Sequence, residues 1–284
     1  MFLNEINLRD PFILADNGKY YLYGTGGSKN FGENFGFSVF VSEDLVHWSE
    51  PKTVFEKTPD FWGTKNYWAP EVHEYHGKYY MFASFKSKNA CRGTQILVSD
   101  TPDGKFVPLT DGPVTPRDWE CLDGTLYINK DGKPYMIFCH EWTQVKDGEM
   151  CAIALSDDLK TAVSKPFLLF KASEPSWAEK IKDNWVTDGP FMYRTKSDRL
   201  LMIWSSGTNK AYVEAVSYSD NGEITGDWKH CSKLLFDKNG GHGMIFKSFD
   251  GQKYFVYHYP NIPSEERPVL RKIRENGDTL EIVD

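Results

Sequence analysis

The stretch RDPFILADNGKYYLYGT, Arg9 to Thr25, decides the fold. It has four parts. The polar residue Asp10 opens it, and a short apolar run follows, Pro11 to Leu14. The turn Asp16-Asn17-Gly18-Lys19 comes next, and the aromatic strand Tyr20 to Tyr23 closes it. Two apolar runs flanking Asn-Gly predict a β-hairpin, because Asn and Gly tolerate the positive φ angles of a tight hairpin turn.

The same plan recurs four more times: Trp68 to Ser84, Leu122 to Cys139, Thr187 to Ser206 and Gly241 to His258. Five copies in 284 residues give a unit of about 55 residues, slightly above the ~50 of kelch-type repeats. A unit that long holds about four short strands and their turns, which is one propeller blade. The predicted fold is therefore all-β, a five-bladed β-propeller with about four antiparallel strands per blade. The repeats run from end to end without a Pro/Ser/Gly linker, so residues 1–284 are expected to form a single catalytic domain.

A second strand pair is expected after each hairpin. Phe37 to Trp48, Thr94 to Asp100, Met150 to Leu159 and Val213 to Asp220 share one pattern: an apolar strand, then Ser, then Asp, then a turn. These Ser and Asp side chains are expected to bond turn backbone and to take no part in catalysis. After the fifth hairpin a Pro-rich loop, Pro260 to Pro268, leads to strand-like pieces at Val269–Ile273 and Thr279–Val283. Helix is nearly absent. The unplaced stretch Ala172 to Asp183 is expected to carry a short helical turn before the fourth hairpin.

Composition narrows the function. Aromatic residues make up 15% of the chain, with 9 Trp and 15 Tyr, which suits both strands and the stacking of sugar rings on indole and phenol. The net charge of -7 argues against nucleic acid or an anionic membrane surface as partner and is compatible with a neutral ligand. No apolar run approaches the ~18 residues of a membrane helix. MFLNEINLRD lacks a basic region followed by a long apolar stretch, so no signal peptide is expected. That predicts a cytoplasmic protein if the chain is complete, and a periplasmic or secreted one if a leader was removed. The 5 cysteines, Cys91, Cys121, Cys139, Cys151 and Cys231, are odd in number and match no zinc spacing, so inert thiols are expected. The oligomeric state is left open.

Propeller geometry turns the repeats into a site. The first strand of each blade lies nearest the axis, so its opening residue sits at one mouth of the channel. The five opening positions are Asp10, Glu71 with Trp68, Asp123, Asp188 and His242. The second strand returns to the same mouth at Thr25, Ser84 and Phe85, His140 to Trp142, Ser205 and Ser206, and His258 and Tyr259. Crowding like charges raises the pKa of at least one carboxyl and supplies a protonated acid near neutral pH. Glycoside hydrolysis needs two carboxyl groups in different protonation states on opposite sides of the scissile bond. Trp68 is expected as a pocket wall, whereas Trp48, Trp204 and Trp228 are expected in the core.

At these residues the chain resembles glycoside hydrolase family 43. The resemblance rests on Arg9-Asp10-Pro11, Trp68-Ala69-Pro70, Leu122-Asp123-Gly124, Asp188-Gly189-Pro190 and Gly241-His242-Gly243, in order before the five hairpins. It implies a five-bladed propeller that inverts anomeric configuration and acts mostly on arabinose- and xylose-containing plant saccharides. By the same resemblance Asp10 takes the place of the general base that activates water, and Asp123 that of the carboxylate that tunes and orients the acid. Asp188 stands where the family normally has Glu as general acid. Aspartate is shorter by roughly 1.5 Å, and an inverting pair holds ~6.5–9.5 Å between its carboxyls. Either the pocket closes in around Asp188, or another residue donates the proton: Glu141 first, Glu71 second. His140, Trp142, Ser205, His258 and Arg267 join Trp68 and Glu71 as expected substrate contacts, Arg267 alternatively as a surface ion-pair residue. No cofactor is required. His242 resembles an axial histidine that in some members helps hold a calcium ion through waters, while other members have no ion.

Three other readings compete. A carbohydrate-binding propeller without catalysis would explain the missing Glu, yet neutral sugar binding does not call for both Asp10 and Asp123. A fructosidase-like five-bladed enzyme would retain configuration; Leu8-Arg9-Asp10-Pro11 and Trp119-Glu120-Cys121-Leu122 match its motifs in part. A sialidase would need an arginine cluster that the sequence lacks.

Overall fold

The computed structural model describes residues 1–26 and 36–283. It holds five antiparallel four-stranded sheets, each built from consecutive strands in simple order. The inner strands are β1 (Leu8–Asp16), β5 (Lys65–Tyr75), β9 (Cys121–Ile128), β13 (Asp188–Arg194) and β17 (Gly241–Lys247). The strands that return beside them are β2 (Lys19–Gly26), β6 (Lys78–Lys86), β10 (Pro134–His140), β14 (Leu200–Gly207) and β18 (Lys253–Tyr259). Inner strands touch one another in sequence around a ring, and β17 meets β1 to close it. These are the five predicted blades about one axis.

The local chemistry of the repeats is as expected. Asp16 pairs with Lys19 across the first turn, and Asn17 and Gly18 take φ of +47° and +79°. The Ser-Asp pattern caps turns: the Ser42 hydroxyl accepts from the Asp44 and Leu45 amides, and Asp44 accepts from those of Val46 and His47. Trp48, Trp204 and Trp228 are buried, as are Cys121, Cys139 and Cys151, and all five cysteines are free thiols.

The fifth blade is made wholly of C-terminal strands, with β19 (Arg267–Asn276) and β20 (Thr279–Ile282) outside β18. The ring is therefore closed by contacts at the N-terminus. The Leu8 amide donates to the Glu266 carbonyl at 3.3 Å, and Asn7 Nδ2 donates to the same oxygen at 2.8 Å.

Within Ala172–Asp183, where a short helical turn is expected, the structure has isolated turns, one closed by the Ala178 amide on the Pro175 carbonyl at 3.0 Å, and no helix. The segment's amides are drawn elsewhere: Ala172 donates to the Gly148 carbonyl at 2.8 Å, and Ser173 donates to Asp147 through both its amide and its hydroxyl. Helical turns form instead at Leu3–Glu5 and, directly after β10, at Trp142–Val145.

One recurrent irregularity builds the site. Every inner strand breaks register against its partner near its opening, between Arg9 and Phe12, Trp68 and Glu71, Leu122 and Thr125, Asp188 and Phe191, and Gly241 and Met244. In each gap one residue takes a left-handed backbone: Asp10 at φ +53°, Ala69 at +45°, Asp123 at +55°, Gly189 at +50° and His242 at +51°. Such bulges bend a strand and re-aim its side chains. Asp188 precedes its bulge residue by one position. It is thus equivalent to Arg9, Trp68, Leu122 and Gly241, and the opening residues form two tiers where the sequence suggested a single ring.

Candidate active site

Both tiers meet in one cavity of about 180 Å³, lined by Arg9, Asp10, Trp68, Leu122, Asp123, Glu141, Trp142, Asp188 and His242. Residues from all five inner strands are brought together there, and Glu141 and Trp142 are added by the junction after β10 and the short helix that follows. A site on the ends of packed strands is held more rigidly than one on free loops.

Asp10 is fixed from several sides. Its Oδ2 accepts from the Thr25 hydroxyl at 2.6 Å, and its amide donates to His258 Nδ1 at 3.3 Å. Its Oδ1 lies 3.3 Å from Arg9 Nε and 3.2 Å from His242 Nδ1. Burial alone would favour a neutral carboxyl. The His242 and Arg9 cations outweigh it and hold Asp10 well below the usual carboxylate range.

Asp123 and Asp188 behave in the opposite way. Asp123 accepts from the Gly189 amide at 3.0 Å, and Asp188 accepts from the Tyr212 hydroxyl at 3.1 Å. Burial, only partly offset by His242, pushes them up to about 7 and about 6. The site therefore keeps one carboxylate ionised and a neighbouring pair poised to carry a proton.

His242 makes this asymmetry. Burial disfavours its charge, but Asp10, Asp123 and Asp188 raise it to about 10, so it is a cation at neutral pH. Its backbone bulge rests on the fourth blade: the His242 amide donates to Ser205 Oγ at 2.6 Å, and Ser205 donates to Glu214 at 2.5 Å. His258 is the contrasting histidine. Fully buried and close to Arg9, it is pushed down to about 3 and stays neutral, as its role as acceptor from the Asp10 amide requires.

Several expected substrate contacts lie outside the cavity. Glu71 sits two positions past its bulge residue, deeper in β5, paired with His73 at 3.2 Å. It is not an opening residue and does not line the cavity. His140 is held by Glu149 and Gln144, each at 2.9 Å, and stacks on Trp119 at 4.1 Å, which turns it to the flank of the third blade. Ser205 and His258 support the site from beneath and do not line it. Arg267 donates to the carbonyls of Asn4, Ser264 and Glu266, so it anchors the N-terminal turn; it does not line the cavity and makes no ion pair among the described residues. Glu120 of the fructosidase-like motif bonds Lys86 at 2.7 Å and the Arg92 amide at 2.8 Å, away from the cavity.

Other supporting groups escaped the sequence reading. Arg9 was legible as part of its motif, but its bridge from Asp10 to Glu266 was not. Tyr212 and Glu214 lie on a strand, and Arg92 directly before one, whose pattern reads as ordinary β-structure. The one available signal was a charge, Glu214, inside the apolar run Tyr212-Val213-Glu214-Ala215-Val216, which calls for a specific partner.

A sequence profile of "Glycosyl hydrolases family 43" matches residues 4–276. Among solved structures, the endo-arabinase of Bacteroides thetaiotaomicron superposes with a TM-score of 0.91 at 40% identity, covering 98% of each chain. An endo-1,4-beta-xylanase from the same organism superposes with a TM-score of 0.82 at 26% identity, covering 98% of this chain and 95% of that one. The extracellular endo-alpha-(1->5)-L-arabinanase 1 of Bacillus subtilis is 28% identical over 153 residues, 50% of this chain and 46% of that enzyme. That match, like the one to the xylosidase/arabinosidase 43A of Humicola insolens, spans about half the length of the relative. Five bulged openings in family order, a propeller that superposes on solved members and a profile match over nearly the whole length place this chain in glycosyl hydrolases family 43.

Proposed function

We propose that the protein is an inverting glycoside hydrolase acting on arabinose- or xylose-containing saccharides. The observation that carries this reading is the opposed protonation of Asp10 and Asp188 in one cavity. Asp10, ionised at neutral pH, removes a proton from water as the water oxygen bonds to the anomeric carbon. Asp188, protonated for part of the time, delivers its proton to the glycosidic oxygen as the bond from that oxygen to the anomeric carbon breaks. One displacement of this kind inverts the configuration. Asp123 shares the buried field with Asp188 and orients that corner through the Gly189 amide. Trp68 and Trp142 offer apolar faces to the sugar.

No step runs through a calcium ion. His242 Nδ1 lies 3.2 Å from Asp10 and 3.8 Å from Asp123, and among the described residues no three His, Cys, Asp or Glu side chains are grouped to ligate a metal directly, so an ion near His242 would be held through waters. The positive charge that the carboxylates need is supplied by His242 and Arg9. The extracellular relative supports a secreted or periplasmic setting.

The deciding experiment is a screen of aryl α-L-arabinofuranosides and β-D-xylosides, with proton NMR of the first-formed anomer. Turnover with inversion is expected. Retention would point to fructosidase-like chemistry, and binding without turnover to a carbohydrate-binding propeller.

A further inference from the structure

Arg92 directly precedes β7 (Gly93–Ser99), the third strand of the second blade, and no motif includes it. It is buried, with 6% of its surface exposed. Its guanidinium carbon lies 3.9 Å from the centroid of the Trp68 ring, and its Nε donates to Glu141 Oε2 at 3.3 Å. Trp68 and Glu141 are both cavity residues, contributed by different blades. The Arg92 backbone is pinned to the same frame: its amide donates to the Glu120 side chain at 2.8 Å, and its carbonyl accepts from the Cys121 amide at 2.9 Å. The Glu141 amide in turn donates to the Glu120 carbonyl at 2.7 Å.

Two features set this arginine apart from a structural ion pair. Its Nη1 is buried without a hydrogen-bond partner, and burial pushes the guanidinium pKa down. An unmet buried donor is costly, and an apolar side chain of similar length would cover Trp68 without that cost. The charge is therefore retained for what it does to its neighbours. Glu141, for its part, is the N-cap residue of the short helix, yet its carboxylate makes no capping bond and turns to Arg92 instead.

We propose that Arg92 is a positioning residue that fixes Trp68 and Glu141 as one wall, with Glu141 accepting hydrogen bonds from the hydroxyls of a neutral pentosyl unit and not donating the catalytic proton. The proposal rests on the hydrolase reading of this cavity and adds how the sugar is recognised there. The guanidinium covers one face of the Trp68 indole, which also lines the cavity. A planar cation suits both tasks, stacking on indole while its edge meets a carboxylate, and a lysine ammonium cannot do both.

The test compares R92M and R92K with wild type on an aryl pentoside and on arabinotriose. R92M is expected to raise KM at least tenfold with kcat changed less than threefold. R92K should fall between, and added methylguanidinium should partly restore R92M. Unchanged KM overturns the proposal. So does a fall in kcat that spares good leaving groups, because Arg92 would then act on the proton donor. If R92M does not fold, the R92K split between KM and kcat decides alone. Should wild type bind arabinotriose without cleaving it, the hydrolase reading fails, and tenfold weaker calorimetric binding by R92M still supports the role of Arg92. Absence of any saccharide binding by wild type overturns both.

Discussion

His242 Nδ1 stands 3.2 Å from Asp10 Oδ1 and 3.8 Å from Asp123 Oδ2, so one imidazole serves two carboxylates of opposite protonation tendency. The shorter contact and the added Arg9 charge keep Asp10 ionised. Asp123, farther off and beside Asp188, is left to burial. His242 and Arg9 together thus set chemically identical side chains to opposite protonation tendencies.

Removing that cation is expected to shift the pH profile in a defined direction. A base must be ionised, and losing the neighbouring positive charge raises its pKa. H242N, with a residue that tolerates the left-handed backbone, should move the acidic limb of kcat/KM up by about one unit or more. Dialysis of wild type against EDTA should leave activity and Tm unchanged, since the charge comes from the chain. An unmoved limb, or a Tm that rises with added calcium, would contradict the assignment.

Leaving-group dependence separates the two candidate acids. D188N should lower turnover of natural oligosaccharides by about 10²–10⁴-fold and spare nitrophenyl glycosides far more. D10N should harm both classes about equally, because water activation is needed for each. E141Q should weaken binding without a leaving-group trend. If E141Q shows the trend and D188N does not, Glu141 is the acid.

Glu214 predicts a stability effect. It is fully buried beneath the His242 bulge, and burial pushes its carboxyl up to about 8. A carboxyl raised by folding binds its proton more tightly in the native state, so its contribution to stability is greatest below the unfolded pKa and is lost as pH rises through about 8. Wild-type Tm should therefore fall relative to E214Q between pH 5 and pH 9 (a range set by ~4.3 for free Glu). Parallel Tm curves for the two proteins would exclude this linkage.

Gly189 tests the geometry of the fourth bulge. Its φ is +50°, and an added Cβ would lie 2.7 Å from the His242 ring. G189A should cost roughly 1–3 kcal/mol and reduce activity, because the amide that bonds Asp123 must shift. G18A is the control. Gly18 also has positive φ, but its Cβ would meet nothing within 4 Å, so a small loss of stability with full activity is expected.

Much of this protein could be read from local patterns. The Asn17-Gly18 turn, the alternating strand Tyr20 to Tyr23 and their four echoes specify hairpins by short-range backbone preference, and the number of echoes specifies the blades. Asp10 and Asp123 were legible because the repeats align them at blade openings, and Trp68 because it opens its hairpin.

What the tertiary structure decided is the direction and electrostatic state of each group. A bulge adds one residue on one strand, and nothing in Asp188-Gly189-Pro190 reveals that Gly189, not Asp188, takes the left-handed turn. Glu71, His140 and Arg267 occupy plausible sequence positions yet face other partners, because side-chain direction depends on register and neighbouring blades. Protonation depends on burial and on charges brought from distant strands. Asp10 and Asp188 are the same residue type in similar motifs, and the placement of His242 and Arg9 holds the first ionised while burial leaves the second inclined to keep its proton.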